Sequence, residues 1–594
     1  MTYDATALQY MANAVRSDAL GAILSAGSGH VGIALGAADI ITAVFANFMR
    51  RGVDHFVLSA GHGSAMLYAT LKLAGYGIGN LESFRKIGGL PGHPEFGIDG
   101  VDATTGPLGM GVGNAVGLAL AEKIQHTNAF VYCLCGDGDL SEGVANESIA
   151  FAGQYKLNNL VLLWDDNGIT IDGAAITDID VPSRMRAAGW NVVSVDGSDG
   201  EKISRAIADS RASSMPTFIQ CTTTIGKYSS VAGTSRAHGL GLDESELERL
   251  IKNLDSTTGR KLWADVAARP SAPKFPHKAI DFSGVKILCN VDDMSTREMS
   301  GLCIDEFLRA GINIIGGSAD LGSSTNTWTK NSVAIAPVSY VGNFVEYGVR
   351  EHAMGAIMNG MAAAGLRVFG STFLAFSDYM RPAMRIAAMA GLPVVFVLTH
   401  DSIAVGEDGP THQPIEQLPS LRLIPNMNVF RPCNMAEVAT AWHRALREKS
   451  RPSCIVLSRQ KIKNIPSPAG AELSRGAYII RPARSAHVRI TLIATGSEVP
   501  LAIDVAKKLG DNVQVVSCPS VEYFRAQSAL YKQKILRGYV VAIEAAATSP
   551  WFEFADAVVG INRFGISGSG QEVYSAMGFD AEQIARDIIS QIKK

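Results

Sequence analysis

The segment Phe130–Gly173 constrains the fold most, because it contains two short apolar runs that each end in a polar, glycine-containing turn. The first run, Phe130–Cys135, stops at Gly136-Asp137-Gly138, and the second, Leu160–Trp164, stops at Asp165-Asp166-Asn167-Gly168. Continuous apolar runs of this length are typical of strands that are buried on both faces of a parallel sheet. The segment therefore predicts two parallel strands with polar residues at their carboxyl ends.

The stretch between these strands is predicted to be the crossover helix of a βαβ unit. It covers Gly143–Lys156, with Asp139 or Ser141 as the expected N-cap. Asp137 and Asn167 then both follow strand ends, where open parallel sheets bind ligands. One carboxylate and one amide oxygen form part of an all-oxygen site for a hard divalent cation. Glycines and a helix N-terminus also suit a diphosphate, although GDG and DNG are common in ordinary turns as well.

The composition is that of a large globular protein. The chain has 594 residues, of which 47% are hydrophobic and 18% charged, so roughly three or four domains are expected. The 53 basic and 56 acidic residues leave a net charge of −3. This balance does not favour an anionic partner, and we expect binding to neither nucleic acid nor a membrane.

The cysteines and the N-terminal sequence predict a cytoplasmic protein. The eight cysteines are scattered and form no paired CxxC motifs, so they are expected to be reduced. The first twenty residues predict an amphipathic helix without the apolar core of a signal peptide. No apolar run reaches the length of a membrane span.

The alternation of helices and strands predicts an α/β fold with three doubly wound domains and mostly parallel sheets. The predicted boundaries are 1–265 for a first domain, 266–284 for a linker, 285–468 for a second domain and 469–594 for a third. The strands predicted in the second and third domains are Ile312–Gly316, Arg367–Gly370, Val394–Thr399, Ser453–Leu457, Arg489–Ala494, Val513–Ser517 and Tyr539–Ile543. Two helices, Gly113–Glu122 and Met354–Ala364, are rich in Gly and Ala, which favours close backbone packing at a sheet or a subunit interface.

A series of short motifs then occurs in an order that is characteristic of one enzyme family. The motifs are SGH (28–30), GHGS (61–64), GHPE (92–95), TTGPLG (104–109), the GDG loop, AHG (237–239), GGSADL (316–321), YGVREHAM (347–354), STFLAF (371–376), THDSIAVGEDGPTHQP (399–414), SRQ (458–460) and ATGSEV (494–499). Over roughly residues 8–590 the chain resembles the transketolase family of thiamine diphosphate enzymes. The resemblance implies two cofactor-binding domains, one for the diphosphate and one for the pyrimidine, followed by a C-terminal domain.

The resemblance implies thiamine diphosphate as the cofactor. Glu351 matches the family's glutamate, which hydrogen-bonds the aminopyrimidine ring and promotes formation of the reactive ylid; the alternative is a glutamate that only stabilises a helix N-terminus. Phe373, Phe376 and Tyr379 match aromatic residues around that ring, although their spacing also fits an ordinary helix core.

The resemblance also implies a magnesium ion, or calcium or manganese, at the diphosphate. Asp137, Asn167 and the Ile169 carbonyl match its ligands. The other cofactor-binding matches are the backbones of Leu108 and Gly138 and, near the phosphates, His62 and His238.

Histidines in glycine-flanked loops match substrate positions, where imidazoles can both hold hydroxyls and carry protons near neutral pH. The implied catalytic set is Glu351, His30, His238 and His412. The implied substrate-binding set is His30, His93 and His238 near the reacting carbonyl, His412 beside the cofactor, Asp408 at the donor 2-hydroxyl, and Arg297, Ser324, His400 and Arg459 at the sugar phosphate. Guanidinium groups suit phosphate because they are permanently charged, bidentate donors.

The resemblance implies a homodimer with active sites at the subunit interface. It would transfer a two-carbon ketol unit from a ketose phosphate such as xylulose 5-phosphate to an aldose phosphate such as ribose 5-phosphate or erythrose 4-phosphate. The alternatives are 1-deoxyxylulose-5-phosphate synthase, which would consume pyruvate, and a transketolase-like enzyme with another sugar. An inactive regulatory protein would have no need of Glu351 and the histidines. The glycine-rich run 109–117 suggests a nicotinamide dinucleotide loop, but it does not follow a hydrophobic strand.

The chain departs from the family pattern in ways that bear on the sugar. It is shorter than a typical transketolase, mainly between about residues 240 and 295. SGHVG replaces the usual SGHPG, and residues 233–236 replace a stretch that often carries another histidine. These differences leave the cofactor residues in place, but they lie where substrate access and acceptor range would be affected.

Overall fold

The computed structural model describes residues 2–174, 179–239, 241–272, 280–289 and 291–592. The chain divides into two compact units, Met1–His277 with Ala336–Val341 and Gly355–Leu366, and Lys278–Ile335 with Gly342–Met354 and Arg367–Lys594. Within the described ranges, no helix combines the length and the apolar character that crossing a bilayer requires. Part of the predicted linker, 273–279, lies outside the described residues.

The first unit is built on a five-stranded parallel sheet in the order β1-β2-β3-β7-β6. The strands, including a small antiparallel pair β4–β5, are β1 (His55–Leu58), β2 (Val131–Gly136), β3 (Leu160–Asp166), β4 (Ile169–Thr170), β5 (Gly173–Ala174), β6 (Asn191–Asp196) and β7 (Thr217–Thr222). The helices are α1 (Ala5–Ala26), α2 (Val31–Gly36), α3 (Ala38–Asn47), α4 (Ser64–Leu73), α5 (Met110–Ile124), α6 (Asp137–Ser141), α7 (Gly143–Gln154), α8 (Val181–Ala187), α9 (Gly200–Ser210), α10 (Glu244–Asn253) and α11 (Thr257–Ala267).

The predicted βαβ unit is present as β2, α7 and β3. Five of the six β2 residues and six of the seven β3 residues are buried, which is why their sequences are almost continuously apolar. The two strands are neighbours in parallel register, with Gly136 opposite Asp165. The polar residues that follow each strand therefore lie at the same edge of the sheet.

The second unit contains two sheets. One is six-stranded and parallel, in the order β12-β13-β11-β10-β8-β9, and the other is five-stranded, in the order β14-β16-β15-β17-β18, with only β14 antiparallel. The strands are β8 (Gly316–Ser318), β9 (Phe344–Glu346), β10 (Phe369–Phe373), β11 (Val395–Thr399), β12 (Asn428–Phe430), β13 (Ser453–Leu457), β14 (Tyr478–Arg481), β15 (Ile490–Ala494), β16 (Val513–Ser517), β17 (Tyr539–Ile543) and β18 (Ala557–Val559). The helices that begin in this unit are α12 (Thr296–Arg309), α13 (Glu351–Ala363), α14 (Ser377–Met389), α15 (Gln417–Arg422), α16 (Met435–Arg447), α17 (Glu498–Leu509), α18 (Val521–Arg525), α19 (Ala529–Ile535), α20 (Gly570–Ala576) and α21 (Ala581–Ile592).

The mostly parallel α/β class is confirmed, and the errors concern boundaries. β8 and β10 begin later than predicted, at Gly316 and Phe369. The apolar residues before them are buried but form only an isolated bridge, Ile315 to Val368. A buried segment is apolar whether or not it pairs in a sheet, whereas the limits of a strand depend on its partner strand. The apolar pattern therefore placed the start of both strands too early.

Candidate active site

Four of the predicted site histidines lie together in the first unit. The ring centre of His30 is 5.2 Å from that of His62, 5.6 Å from His238 and 6.2 Å from His93, and the rings of His62 and His238 stack at 5.0 Å. They come from four different connections, so only the tertiary fold could bring them together. The cluster offers several imidazole nitrogens to one small volume.

Glycines allow the connections that carry these histidines to approach each other. The amide of Val31 donates to the carbonyl of Gly239 over 3.1 Å. A Cβ atom at Gly32 would lie 2.5 Å from the Ala237 carbonyl oxygen, closer than real Cβ atoms come. The SGHVG and AHG motifs are therefore packed backbone to backbone, and this contact sets the spacing of His30 and His238.

The surroundings of the four histidines favour their neutral forms. Burial lowers the pKa of His30 to about 4, with the positive charge of Arg85 adding to the effect, and burial lowers the pKa of His62 to about 3. The pKa values of His93 and His238 are also lowered by burial. Neutral imidazoles can accept as well as donate protons, which suits the proton transfers predicted for this site.

Arg85 is a residue that the sequence analysis did not identify. Its guanidinium lies 3.3 Å from His30 Nδ1 and its backbone is left-handed, with φ 57°. Because a guanidinium can only donate, Nδ1 accepts, and the proton of neutral His30 is on Nε2. The only sequence signal was a basic residue in the polar stretch before the GHPE motif.

Asp139 connects the two loops at the predicted diphosphate site. Its carboxylate is fully buried and accepts from Ser59 Oγ at 2.6 Å, from the Gly109 amide at 2.7 Å and from the Gly136 amide at 2.9 Å. The prediction that Asp139 or Ser141 caps α7 was wrong. The N-cap is Glu142 without a side-chain bond, because Asp139 is committed to the loops.

Leu108 and Gly138 face each other across these loops. A Cβ atom at Gly138 would lie 2.8 Å from Leu108 Cδ1. The Leu108 side chain would have to move to make room for a larger residue at 138.

Asp137 carries the strongest local signal for a cation. Its Oδ1 accepts from Trp164 Nε1 at 3.2 Å, whereas its buried Oδ2 has no hydrogen-bond partner within the described residues. Burial, followed by the negative charges of Asp166 and Asp165, raises the pKa of Asp137 to about 7. A buried carboxylate oxygen without a donor, among other carboxylates, is suited to a positive ion.

Asn167 is oriented by its neighbours. Its Nδ2 donates to Asp165 Oδ2 at 3.0 Å, and its Oδ1 accepts from the Ile169 amide at 3.0 Å. The described residues contain no group of three or more His, Cys, Asp or Glu side chains arranged for a metal. Two of the three predicted ligands are an amide and a backbone carbonyl, so the metal site remains a prediction.

Glu351 lies in the second unit at the start of α13. It is 8% exposed, and Thr372 Oγ1 donates to its Oε1 at 3.0 Å. A buried carboxyl held on one side by a threonine can present its second oxygen to a ligand.

A row of rings follows β10. Phe373 stacks on His400 with ring centres 3.7 Å apart, and Phe376 meets His412 edge to face at 5.1 Å. Tyr379, 6.2 Å from Phe376, is 67% exposed. The alternative of an ordinary helix core therefore does not describe Tyr379 in the isolated chain, and its binding role stays a prediction.

Two of the predicted phosphate-binding residues, Arg297 and Arg459, act electrostatically on a third, His400. Burial lowers the pKa of His400 to about 3, and the positive charges of Arg297 and Arg459 add to the effect. Arg297 donates to the Ser324 carbonyl, and its buried Nε has no partner within the described residues. Asp408, by contrast, is exposed at the end of a short 3₁₀ turn, Ile403–Asp408. Two guanidinium groups near one imidazole make this part of the second unit electropositive.

Comparison with known proteins connects these features. Three family models match the chain: the transketolase thiamine diphosphate binding domain over residues 7–263, the transketolase pyrimidine binding domain over 292–464, and the transketolase-like C-terminal domain over 476–580. The transketolase of Geobacillus stearothermophilus is 40% identical over 96% of this chain and 97% of its own length.

Solved structures agree with the family models. The transketolase of Campylobacter jejuni has a TM-score of 0.87 at 35% identity, covering 99% of this chain and 100% of its own. The Pichia stipitis transketolase in complex with sedoheptulose 7-phosphate has a TM-score of 0.89 at 33% identity, covering 98% of this chain and 97% of its own. The histidine cluster, the GDG loop and the buried glutamate thus occur in a chain that belongs to the transketolase family, and it is a transferase whose cofactor is thiamine diphosphate.

Proposed function

We propose that this transketolase moves a two-carbon ketol unit from a ketose phosphate, such as xylulose 5-phosphate, to an aldose phosphate, such as ribose 5-phosphate or erythrose 4-phosphate. The choice of phosphorylated sugars rests on Arg297 and Arg459, whose positive charges both act on His400. Arg297 is half-buried, and its Nε has no hydrogen-bond partner within the described residues, so the two guanidinium groups offer charge and donors that suit a phosphate.

The residues of the first unit fit the diphosphate end of the cofactor. Within the described residues, the buried Oδ2 of Asp137 has no hydrogen-bond donor, and Gly138 has no side chain of its own to cover the backbone of the GDG loop. We infer that Asp137, Asn167 and the Ile169 carbonyl hold a magnesium ion, which these hard oxygen donors favour over softer metals. Leu108 and Gly138 would offer backbone groups to the diphosphate, with His62 and His238 beside it.

The residues of the second unit fit the pyrimidine end. Bound thiamine diphosphate supplies the stabilised carbanion that the transfer needs. Glu351 would share a proton with the aminopyrimidine ring, oriented by Thr372, while Phe373, Phe376 and Tyr379 would pack against it. His412 would lie beside the cofactor's amino group, since its ring already contacts Phe376.

The substrate would be handled by the histidines, Asp408 and the arginines. His30, His93 and His238 would hold the reacting carbonyl and first hydroxyls, with His30 Nε2 as the proton donor. Asp408 would accept a bond from the donor 2-hydroxyl. Arg297, Arg459, His400 and Ser324 would bind the terminal phosphate. Charge-assisted bonds to that phosphate would fix the sugar chain relative to the reacting carbonyl.

The reaction is tested by product analysis. The protein, with thiamine diphosphate and magnesium, is given xylulose 5-phosphate and ribose 5-phosphate, and the products are identified by mass spectrometry. Sedoheptulose 7-phosphate and glyceraldehyde 3-phosphate are expected only when both the protein and the cofactor are present. Absence of product from a protein that demonstrably binds the cofactor, or release of carbon dioxide from pyruvate, would contradict the proposal.

A homodimer with active sites at the subunit interface belongs to the same proposal. Val349 and Tyr379, close in sequence to Glu351 and Phe376, are 75% and 67% exposed in the single chain. Large apolar side chains beside a predicted cofactor site are typical of surfaces that a partner covers. Light scattering should give twice the chain mass, and full activity in a demonstrably monomeric sample would refute the arrangement.

The remaining assignments concern organisation and location. The three matched ranges fall within the proposed domains 1–265, 285–468 and 469–594, and limited proteolysis should cut first between 266 and 284. All eight cysteines are free, which suits a reducing cytoplasm. The proposed sugar phosphates would place the enzyme in the pentose phosphate pathway. Recovery of the protein in a membrane or periplasmic fraction would exclude that location.

A further inference from the structure

One loop carries three of the predicted substrate-binding residues. The 400–413 loop leaves β11 and contains His400, Asp408 and His412. Its backbone is left-handed at His400, Gly406 and Gly409, with φ values of 59°, 77° and 75°. A backbone in this conformation lacks the regular hydrogen bonds of a helix or a strand, so it is kept only where neighbouring residues hold it in place. The conformation of the loop therefore depends on what packs against it.

The support comes from the 565–574 segment, which lies in the C-terminal region far from any predicted site residue in sequence. Gln413, which is 3% exposed, donates from Nε2 to the carbonyls of Gly406 and Ile566, both at 2.9 Å. A Cβ atom at Gly565 would lie 1.8 Å from Gln413 Oε1. One amide therefore closes the loop on itself and attaches it to the segment.

The backbones of the loop and the segment are in direct contact. A Cβ atom at Gly570 would lie 2.9 Å from the Ala404 carbonyl oxygen, and one at Gly409 would lie 2.4 Å from Ser567 Oγ. A Cβ atom at Gly406 would also lie 3.0 Å from the Gly570 amide nitrogen, so the backbones of the loop and the segment restrict each other's movement. The loop residues that make these contacts, Ala404, Gly406 and Gly409, lie before and after Asp408 in the sequence.

A closed ring of hydrogen bonds supports the start of the loop. Tyr574 donates its hydroxyl to Glu498 Oε1 at 2.7 Å, and the hydroxyl oxygen of Tyr574 is 3.1 Å from Ser402 Oγ. Arg431 donates from Nε to Asp401 Oδ2 at 2.9 Å and from Nη1 to Glu498. Because Asp401 and Ser402 are adjacent, the ring begins and ends on the residues that follow His400.

The ring is buried and charged, so its geometry is strongly determined. Asp401, Arg431 and Glu498 are 2%, 1% and 0% exposed. Arg431 also donates to Thr495 Oγ1 at 2.9 Å, and Thr495 donates to Glu544 Oε1 at 2.5 Å. Buried charges tolerate little displacement, because any loss of pairing leaves a group without solvation. The network extends from the loop into the strands β15 and β17.

We propose that the 565–574 segment is a positioning element for the donor sugar, and that Tyr574 is the positioning residue through which it orients His400 and Asp408. The inference rests on the proposed roles of these two residues. The C-terminal region then takes part in substrate recognition without touching the substrate. Its contribution lies in holding the 400–413 loop in a backbone conformation that the loop cannot maintain alone.

Tyr574→Phe tests this with Tyr531→Phe as the matched control. Tyr531 lies in the same C-terminal region, and its hydroxyl donates to the Ala477 carbonyl at 3.0 Å, away from the loop. Loss of the Tyr574 bonds should lower kcat/KM for the ketose phosphate by about 3- to 30-fold, with most of the effect in KM. Tyr531→Phe should lower the melting temperature about as much as Tyr574→Phe does, but it should leave kcat/KM unchanged.

A double-mutant cycle with Asp408→Asn separates positioning from general destabilisation. If Tyr574 acts through the loop, the effect of Tyr574→Phe on kcat/KM should shrink at least threefold once Asp408 is replaced. Effects that simply multiply, or a Tyr574→Phe protein with normal kcat/KM, would overturn the positioning proposal alone. An Asp408→Asn protein with normal kcat/KM would instead overturn the role of Asp408 and the inference with it.

Ser402→Ala gives the same test from the loop side if Tyr574→Phe does not fold. It removes the hydroxyl that faces Tyr574 and leaves the Arg431 bonds to Asp401 and Glu498 in place. A drop in kcat/KM of similar size, coupled to Asp408→Asn, is expected. Normal kcat/KM in this variant would count against the proposal in the same way.

Discussion

At the scale of single residues, Glu351 is the side chain on which turnover should depend most. It is buried at the start of α13 and held on one oxygen by Thr372. Glu351→Gln keeps the shape and that hydrogen bond but removes the shared proton. We expect kcat to fall about 10²- to 10⁴-fold, measured by the rate of sedoheptulose 7-phosphate formation with saturating cofactor.

The control for this variant is cofactor binding. Titration of the tryptophan fluorescence with thiamine diphosphate should show that Glu351→Gln still binds, since the diphosphate contacts lie elsewhere in sequence. A variant that turns over at the normal rate would show that Glu351 only stabilises the N-terminus of α13.

His55 provides a second prediction at this scale, on stability rather than activity. Its Nε2 is 3.1 Å from Glu122 Oε1, and its Nδ1 is 3.4 Å from Asp102 Oδ2. Burial opposes the charge, but Asp102 and Glu122 outweigh it and raise the pKa of His55 to about 10. The folded pKa lies above the unfolded value of about 6.5. The stabilisation is therefore complete below that pH and is lost as pH rises towards 10.

This pH dependence is measured as a melting temperature. Between pH 6.5 and 9.5 the wild-type midpoint should decrease by several degrees more than that of His55→Gln, which lacks the titrating group. Equal decreases in the two proteins would show that His55 is not charged in the folded state.

At the scale of elements, α5 and α13 pack against each other in the first unit through glycines. A Cβ atom at Gly117 would lie 2.0 Å from the Ile357 carbonyl oxygen, and one at Gly360 would lie 2.0 Å from the Asn114 carbonyl oxygen. The Gly- and Ala-rich composition of both helices was expected to indicate close packing, and the observed contact is between the two helices themselves. The backbones approach too closely for any side chain.

Gly117→Ala should therefore be strongly destabilising. We expect a loss of about 2 to 4 kcal/mol or failure to accumulate as soluble protein, because overpacking moves backbone rather than side chains. Gly21→Ala in α1 is the matched control, since a Cβ atom there meets nothing within 4 Å. That substitution should be neutral or stabilising by about 0.5 to 1 kcal/mol. Similar melting temperatures for the two variants would contradict the packing argument.

At the scale of the whole molecule, cofactor and metal should stabilise the fold together. A ligand at 100 times its Kd adds about 2.7 kcal/mol to the folded state. Thiamine diphosphate with magnesium should raise the melting temperature by several degrees, and a chelator should remove the increase. Asp137→Asn should abolish the magnesium-dependent part, because it removes the one charged side chain among the three proposed metal ligands.

A control with cofactor but without metal separates the two contributions. If Asp137→Asn shows the full magnesium-dependent increase, the ion is bound elsewhere. This experiment reads stability alone, so it does not depend on which sugars the enzyme accepts.

The sequence determined the class of fold and the position of the motifs. β2 and β3 could be located because strands buried on both faces must be apolar throughout, and the turns that follow them must be polar. Family motifs located the histidines, Glu351 and the arginines. Strand limits at β8 and β10 were missed, because pairing partners, not local hydrophobicity, decide where a ladder begins.

Only the tertiary structure decided how these residues act on one another. Three contacts show this: Arg85 lies beside His30, Asp139 joins two loops, and Tyr574 packs against the 400–413 loop. In each case the segments lie far apart in the chain or the side chain could have pointed elsewhere. A local pattern reveals the spacing of apolar residues, since this can be read from neighbours along the chain. Desolvation, charge pairing and loop support depend on neighbours in space, so they become determinate only when the chain has folded.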